Sequence, residues 1–496
     1  MKKTFRYILL ILCIVFSVSV SSQNKTLSLQ DCLDLALSNN KQIATSKVKE
    51  DMAKDAKNIA KTMYLPKVDM TASYVHTSKE VSLLNSEQKE SLTNIGTTTI
   101  NNVATNIPNT FQSLKQLGLL NDTQIGALSQ MFQAKAPEWA GTLNGIGQDI
   151  VDAFRTDTRN IWVGGIEVIQ PLYTGGKITA LNEAADISQR MAENQTELLI
   201  HNVTNQVNKA YWLVVSLRHK QALANKYFEL ITELCNNVDK MYKNGIATKA
   251  DVLNICVKKN EAEMQTVQVD NGLALARMAL CQVLGIPLDS QVTLSDENTD
   301  TFSNEKTETP MGEPTITNRT EIKMLDQAID LSKTNIKLAR SSMLPTIALS
   351  GGYTISNPNV FNGFQKKFGG MWNIGVILRM PVWQWHEPMY KIHAAKSATQ
   401  IAQLEREDAM SLINLQINQA KFKVNESQKK VQLTKKNIKS AEENLRCATI
   451  GYREGIIPLT TVNEAQTAWF KAKVDYIDAE ITLKTSLCDL KHALGE

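Results

Sequence analysis

The stretch Trp162-Val-Gly-Gly-Ile-Glu-Val-Ile-Gln-Pro-Leu-Tyr-Thr-Gly-Gly176 returns 210 residues later as Trp372-Asn-Ile-Gly-Val-Ile-Leu-Arg-Met-Pro-Val-Trp-Gln-Trp-His386. Trp162 matches Trp372, Gly165 matches Gly375 and Pro171 matches Pro381. The register then runs without a gap through Asn208 and Ala210 (Asn418 and Ala420), Tyr242, Gly245 and Ile246 (Tyr452, Gly455 and Ile456), and Leu284 and Gly285 (Leu494 and Gly495). Insertions accumulate in loops, so a register kept over about 120 residues marks two copies of one structural unit. Upstream the offset becomes 279, with Ile43 matching Ile322, Leu65-Pro66 matching Leu344-Pro345 and Tyr74 matching Tyr353. The first copy therefore carries an insertion of 69 residues between Tyr74 and Trp162.

Four segments alternate with the period of a strand that has one apolar and one polar face. In the first, Val68, Met70, Ala72 and Tyr74 oppose Lys67, Asp69, Thr71 and Ser73. Trp162, Ile166 and Val168 oppose Gly165 and Glu167 in the second, and Ile347, Leu349 and Tyr353 oppose Thr346 and Ser350 in the third. The fourth sets Trp372, Ile374, Val376, Leu378 and Met380 against Asn373, Gly375 and Arg379. Strands of about ten residues span a bilayer when tilted. Trp162 and Trp372 mark one end, and Tyr173, Trp383 and Trp385 the other, as aromatic rings do at membrane interfaces.

Between and beyond the strands the pattern is helical. Lys177 to Asn244 contains neither Gly nor Pro, enough for a rod of roughly 100 Å. Its counterpart runs from about Met389 to Ile450, with Pro388 at the start. Ile417, Val424, Val431, Ile438 and Leu445 recur every seven residues, beside Ile413, Ala420, Ser427, Thr434, Ala441 and Ala448. The first copy has Val203, Ala210, Leu217, Ala224, Ile231 and Val238. This is coiled-coil spacing with small seam residues, so each rod needs neighbours. Gly245 and Gly455 end the rods, and shorter helices return to Gly285 and Gly495. Further helices, Asn40 to Met63 and Glu321 to Met343, precede the first strand of each copy.

Lys2, Lys3 and Arg6 before the apolar run Ile8 to Phe16, then Ser19, Ser21 and Ser22, read as an export signal over 1–22. The first copy then occupies 23–295, with the insertion at about 77–160; a polar linker with Pro310 and Pro314 occupies 296–318, and the second copy 319–496. The second half of the insertion has helical patterning in Phe111, Leu114, Trp139, Leu143, Ile146 and Ile150. A net charge of +4 from 54 basic and 50 acidic residues points to no nucleic-acid partner. The six cysteines after Cys13 show no metal-like spacing; an exported protein permits disulfides, and buried, unpaired thiols are the expectation here. No nucleophile motif, phosphate loop or metal spacing is present, so no enzyme, cofactor or metal is expected.

Four strands cannot close a barrel, and an open sheet edge in lipid leaves backbone groups without partners. Three chains would supply twelve strands and close the ring with threefold symmetry. The fold class expected is an α+β membrane protein: a trimeric twelve-stranded β-barrel, its polar face lining a water-filled lumen, continued by a long α-helical coiled-coil barrel.

Leu27-Ser-Leu-Gln-Asp-Cys-Leu-Asp-Leu-Ala-Leu-Ser-Asn-Asn40, Tyr64-Leu-Pro66, Ile169-Gln-Pro-Leu-Tyr-Thr-Gly-Gly176, Tyr452-Arg-Glu-Gly-Ile456 and Val462-Asn-Glu-Ala465 resemble the TolC family of outer-membrane channels over nearly all the mature chain. The resemblance implies an outer-membrane homotrimer with a periplasmic tunnel, in contact with lipid. It implies service as the passive exit duct of a tripartite efflux pump for small molecules, beside a periplasmic adaptor and an inner-membrane transporter. Alternatives are a type I protein secretion duct and a periplasmic structural coiled-coil protein.

The resemblance also implies a periplasmic gate after the turn glycines. Asp251 lies six residues past Gly245 and Glu464 nine past Gly455, while Asn254 and Thr461 depart from the more acidic family pattern. Repeated about a threefold axis, Asp251 and Glu464 would form charged rings that favour cations; alternatively they complement the helix dipole. Tyr242, Lys243, Tyr452 and Arg453 would hold the tip shut, or else form the last coiled-coil turn. The turns at Gly245 and Gly455 are the implied adaptor-docking points. Glu167 and Arg379 would project into the barrel lumen, either as pore groups or as interstrand ion pairs.

Overall fold

The computed structural model describes residues 26–78, 84–154, 159–298, 319–362 and 365–495. The export signal read at 1–22 and most of the linker lie outside them. The strands are β1 (Thr26–Leu27), β2 (Lys67–His76), β3 (Asn160–Tyr173), β4 (Thr293–Leu294), β5 (Thr346–Asn357) and β6 (Gly369–Arg379). The helices are α1 (Leu29–Asn39), α2 (Lys41–Thr62), α3 (Ser86–Thr93), α4 (Ile95–Gln116), α5 (Asp122–Ala153), α6 (Lys177–Lys243), α7 (Lys249–Leu284), α8 (Thr320–Ser341), α9 (Glu387–Arg453) and α10 (Leu459–Leu494). Two compact units result, one helical and one built on residues Lys61–Ile178 and Arg340–Trp385.

In the second unit β2, β3, β5 and β6 form one antiparallel sheet in that order. Each copy supplies one antiparallel pair, and β3–β5 pairing joins the copies. Residues paired across a sheet share a face, so the register sorts the side chains. One face carries the row Met70, Ile166, Tyr353 and Trp372, flanked by Val168, Ile374, Val376 and Leu378. The other carries Asp69, Glu167, Gly352 and Asn373 in one row, and Lys67, Ile169, Ser350 and Gly375 in the next. Both faces follow the alternation read from the sequence. Most of the apolar face is bare: Met70 is 79% exposed, Trp372 72% and Ile374 68%. Pro171 has no N–H to donate, and the β3–β5 register slips between Pro171 and Tyr173.

The insertion is more helical than its sequence suggested. Three helices occupy its described residues, two of them before Gly118. Asn85 and Asn121 each cap a helix reciprocally with the glutamine three residues on, Gln88 and Gln124. The helices approach closely at Gly147, where a Cβ would collide with the Leu92 carbonyl oxygen. Asn144 Oδ1 accepts the Gly96 N–H at 2.8 Å on the same seam.

In the helical unit α6 and α9 are 67 residues each, and α7 and α10 are 36 each, so the duplication is kept to the residue. The heptad rows form the seam. Ile413, Ile417, Val424, Ser427, Thr434, Ile438 and Ala448 are buried, and Ala420, Val431, Ala441 and Leu445 half-buried. Val203, Ala224, Ile231 and Val238 are buried in the first copy. Ser427 and Ser486 hydroxyls meet at 3.2 Å, a contact that only small side chains allow in a helix seam. The first copy runs on to Asn298: β4 pairs with β1, Tyr211 donates to Asp296 Oδ2 at 2.5 Å, and Arg277 meets the buried Glu297 at 2.8 Å.

Ile231 is fully buried among Tyr227, Val238 and Ile255. Ile231→Ala is expected to destabilise the helical unit by about 2–5 kcal/mol, the usual cost of such a cavity. Denaturant unfolding followed by far-UV circular dichroism measures it.

Candidate channel gate and lumen

The two tip turns are built alike. The amide of Gly245 donates to the Tyr242 carbonyl at 2.9 Å and that of Ile246 to Met241 at 2.8 Å; Gly455 and Ile456 do the same to Tyr452 and Gly451 at 3.0 and 2.8 Å. These bonds satisfy the last helix carbonyls and require a left-handed residue. Gly245 (φ 78°) and Gly455 (φ 70°) supply it, and both are exposed.

The side chains around the turns differ between copies. Tyr242 is 43% exposed, whereas Tyr452 is half-buried and donates to Met241 Sδ at 3.5 Å. Tyr452 thus ties the second hairpin to the first. Burial raises its phenol above the ordinary value, and the Asp251 charge adds to the rise. Asp251 and Tyr452, from different hairpins, therefore stand within electrostatic reach. Lys243 pairs along its own helix with Asp239 at 2.6 Å. Arg453 is exposed at the rim of a groove lined by Leu234, Met241, Leu445, Val462 and Gln466.

Asp251 has a local partner that a charged ring would not need. Its carboxylate accepts the Thr248 N–H at 2.9 Å and the Thr248 hydroxyl at 2.6 Å, while the Asp251 N–H donates back to Thr248 Oγ1 at 3.2 Å. This capping box starts α7. The Thr248-x-x-Asp251 spacing announces it in the sequence. The bonds from Thr248 hold the carboxyl below its ordinary range. Glu464 has no such role: it is exposed in the second turn of α10, whose cap, Pro458, makes no side-chain bond.

On the sheet, Glu167 and Arg379 share the polar face but not a pair. β5 separates their strands, and Glu167 lies opposite Gly352 while Arg379 lies opposite Thr346. Six residue steps along β5 separate those positions and set them about 20 Å apart along the strands. An ion pair between them within one chain is thereby ruled out. Glu167 instead accepts from the Ser350 hydroxyl at 3.3 Å and faces Asp69 across β2–β3.

An exposed apolar sheet face with a polar reverse, and two edge strands with no further strand beside them among the described residues, are what an outer-membrane channel requires. Among the described residues no helix is long and apolar enough to cross a membrane. The family model of the outer membrane efflux protein matches residues 141–286 and 313–496, one segment in each copy, and the chain belongs to that family. It is similar to the Campylobacter jejuni CmeC outer membrane channel, with TM-score 0.71 and 16% identity over 94% of this chain and 85% of that one. The Neisseria gonorrhoeae MtrE outer membrane channel in its open state gives 0.66 and 17% over 94% and 88%. The Vibrio cholerae outer membrane protein VceC gives 0.67 and 14% over 94% and 96%. No curated protein matches the chain by sequence. The fold class is that of the family: a trimeric β-barrel with four strands per chain, continued by an α-helical barrel, in the outer membrane. Its members are transport channels rather than enzymes.

A carboxyl whose folded pKa is depressed stabilises the fold above its unfolded pKa, and that contribution fades as pH falls through the folded value. The α7 cap should therefore hold on acidification until below about pH 4. Thr248→Ala should remove about 1 kcal/mol at neutral pH. Hydrogen exchange of the amides at 248–252 reads both effects.

Proposed function

We propose that the protein is the passive exit duct of a tripartite efflux pump, carrying small toxic molecules from an inner-membrane transporter and a periplasmic adaptor to the exterior. Membership of a family described by efflux supports the cargo class. The polar sheet face carries the reading furthest. Asp69, Glu167, Asn373, Thr71 and Thr354 line one side of a sheet whose reverse is apolar, as a water-filled pore through lipid requires. Small hydrated solutes need no energy from the duct, so the transporter selects and drives them.

The gate lies at the tip. Asp251 and Glu464 form acidic rings on closure to a trimer, and the hydrogen bonds from Thr248 favour the ionised form of Asp251. Tyr242, Lys243, Tyr452 and Arg453 brace the closed tip; the Tyr452–Met241 contact supports this for the pair it joins. The turns at Gly245 and Gly455, exposed and fixed in shape, are the docking points for the adaptor. Glu167 sets a negative charge in the lumen beside Asp69, and Arg379 a positive one farther along the barrel.

Purified protein is expected to raise the conductance of a planar bilayer, with block by multivalent cations from the tip side. Asp251→Ala and Glu464→Ala should each weaken the block about tenfold or more, as loss of a ring of like charges implies. Unchanged block in both variants rejects the gate. In cells, deletion should sensitise to small toxic compounds while leaving secreted proteins unchanged; the reverse pattern would favour the secretion reading.

A further inference from the structure

Cys235 and Cys256 bring their sulfur atoms to 3.8 Å of each other. They lie on the two arms of the first tip hairpin, ten residues before and eleven after Gly245. Positions equidistant from the turn meet across an antiparallel helical hairpin. Both side chains are half-buried, and Cys235 packs against the cluster of Tyr227, Ile231, Val238 and Ile255. Burial and the neighbouring thiol together hold Cys235 above the ordinary thiol pKa. Of the other described cysteines, Cys32 and Cys281 are fully buried in another cluster, Cys488 is half-buried and Cys447 is exposed. The second copy puts Leu445 and Gln466 at the two equivalent positions, so the thiol pair belongs to the first hairpin alone.

We propose that Cys235 and Cys256 form a native disulfide that staples the first tip hairpin of the exported protein. An outer-membrane protein matures where disulfides form and persist. The bond requires the sulfur atoms to close from 3.8 Å to about 2.0 Å. The oxidant is a protein disulfide donor of that compartment, acting by thiol–disulfide exchange. The Cys256 thiolate attacks the donor disulfide, forms a mixed disulfide and releases one donor thiol. Cys235, the thiol held protonated, then loses its proton to solvent and displaces the second donor sulfur. Two electrons pass to the donor, which leaves as a dithiol. The staple closes a loop of chain that contains the whole turn at Gly245, and it is independent of what the channel carries.

The test uses full-length protein extracted from outer membranes without reductant, denatured in an alkylating agent, digested and mapped by mass spectrometry. The expected result is one peptide pair linked through Cys235 and Cys256 that separates on reduction, with Cys447 alkylated. In Cys235→Ser, and separately in Cys235→Ala, Cys256 should be recovered as an alkylated thiol. Recovery of both cysteines as alkylated thiols from the wild type overturns the proposal. Linkage of Cys256 to any other cysteine, in any of the three proteins, overturns it as well.

Discussion

The backbone hydrogen bonds at the two free edges of the sheet constrain everything else in this protein. β2 and β6 each present a row of N–H and C=O groups with no strand beyond them among the described residues. In water such an edge is a hazard; in lipid each unmet group costs several kcal/mol. The apolar face of the same strands is too exposed to be left to water. Lipid and further copies of the chain are required together. The edge of β6 has to find the edge of β2 on a neighbour, and four strands from each of three chains close the ring.

Once the ring closes, the helices follow from duplication. Each copy leaves the sheet through a long helix of identical length and returns through a shorter one. Their heptad seams bury small residues, which lets helices pack side by side in a wall. The scaffold is the same twice, but the tips have diverged. One hairpin starts its return with a Thr248–Asp251 capping box and presents an exposed Tyr242. The other starts with Pro458 and turns Tyr452 inward onto Met241. Three chains present six tip turns of two kinds, so each kind can carry its own chemistry.

Much of the fold was legible because its signals are long. The repeat at an offset of 210, the four alternations and the heptads span dozens of residues; burial along the long helices follows the heptads, and the strand register follows the alternations. What escaped was short or tertiary. β1 and β4 are two residues each, below the length at which alternation shows. α4 opens on Ile95-Gly-Thr-Thr-Thr and is rich in Asn and Thr, residues of weak helix propensity that its packing on α5 overrides. The partners of Glu167 and Arg379 were left open because strand order, unlike strand identity, is not written in alternation; β5 lies between their strands. The acidic tip residues were visible, and the Thr248-x-x-Asp251 spacing was there to set Asp251 apart; the structure shows Asp251 occupied with Thr248 and Glu464 exposed. The nearness of Cys235 to Cys256 was available from their symmetry about Gly245, and a search for short spacings passes over it.

The central claim is that one chain cannot satisfy its own sheet. The most direct measurement is the mass of the detergent-solubilised particle, by native mass spectrometry, combined with cross-linking of cysteines introduced at facing positions on the β2 and β6 edges. The account predicts a particle of three chains, with β2 of one chain joined to β6 of the next. A stable monomer whose edge strands never cross-link would contradict it.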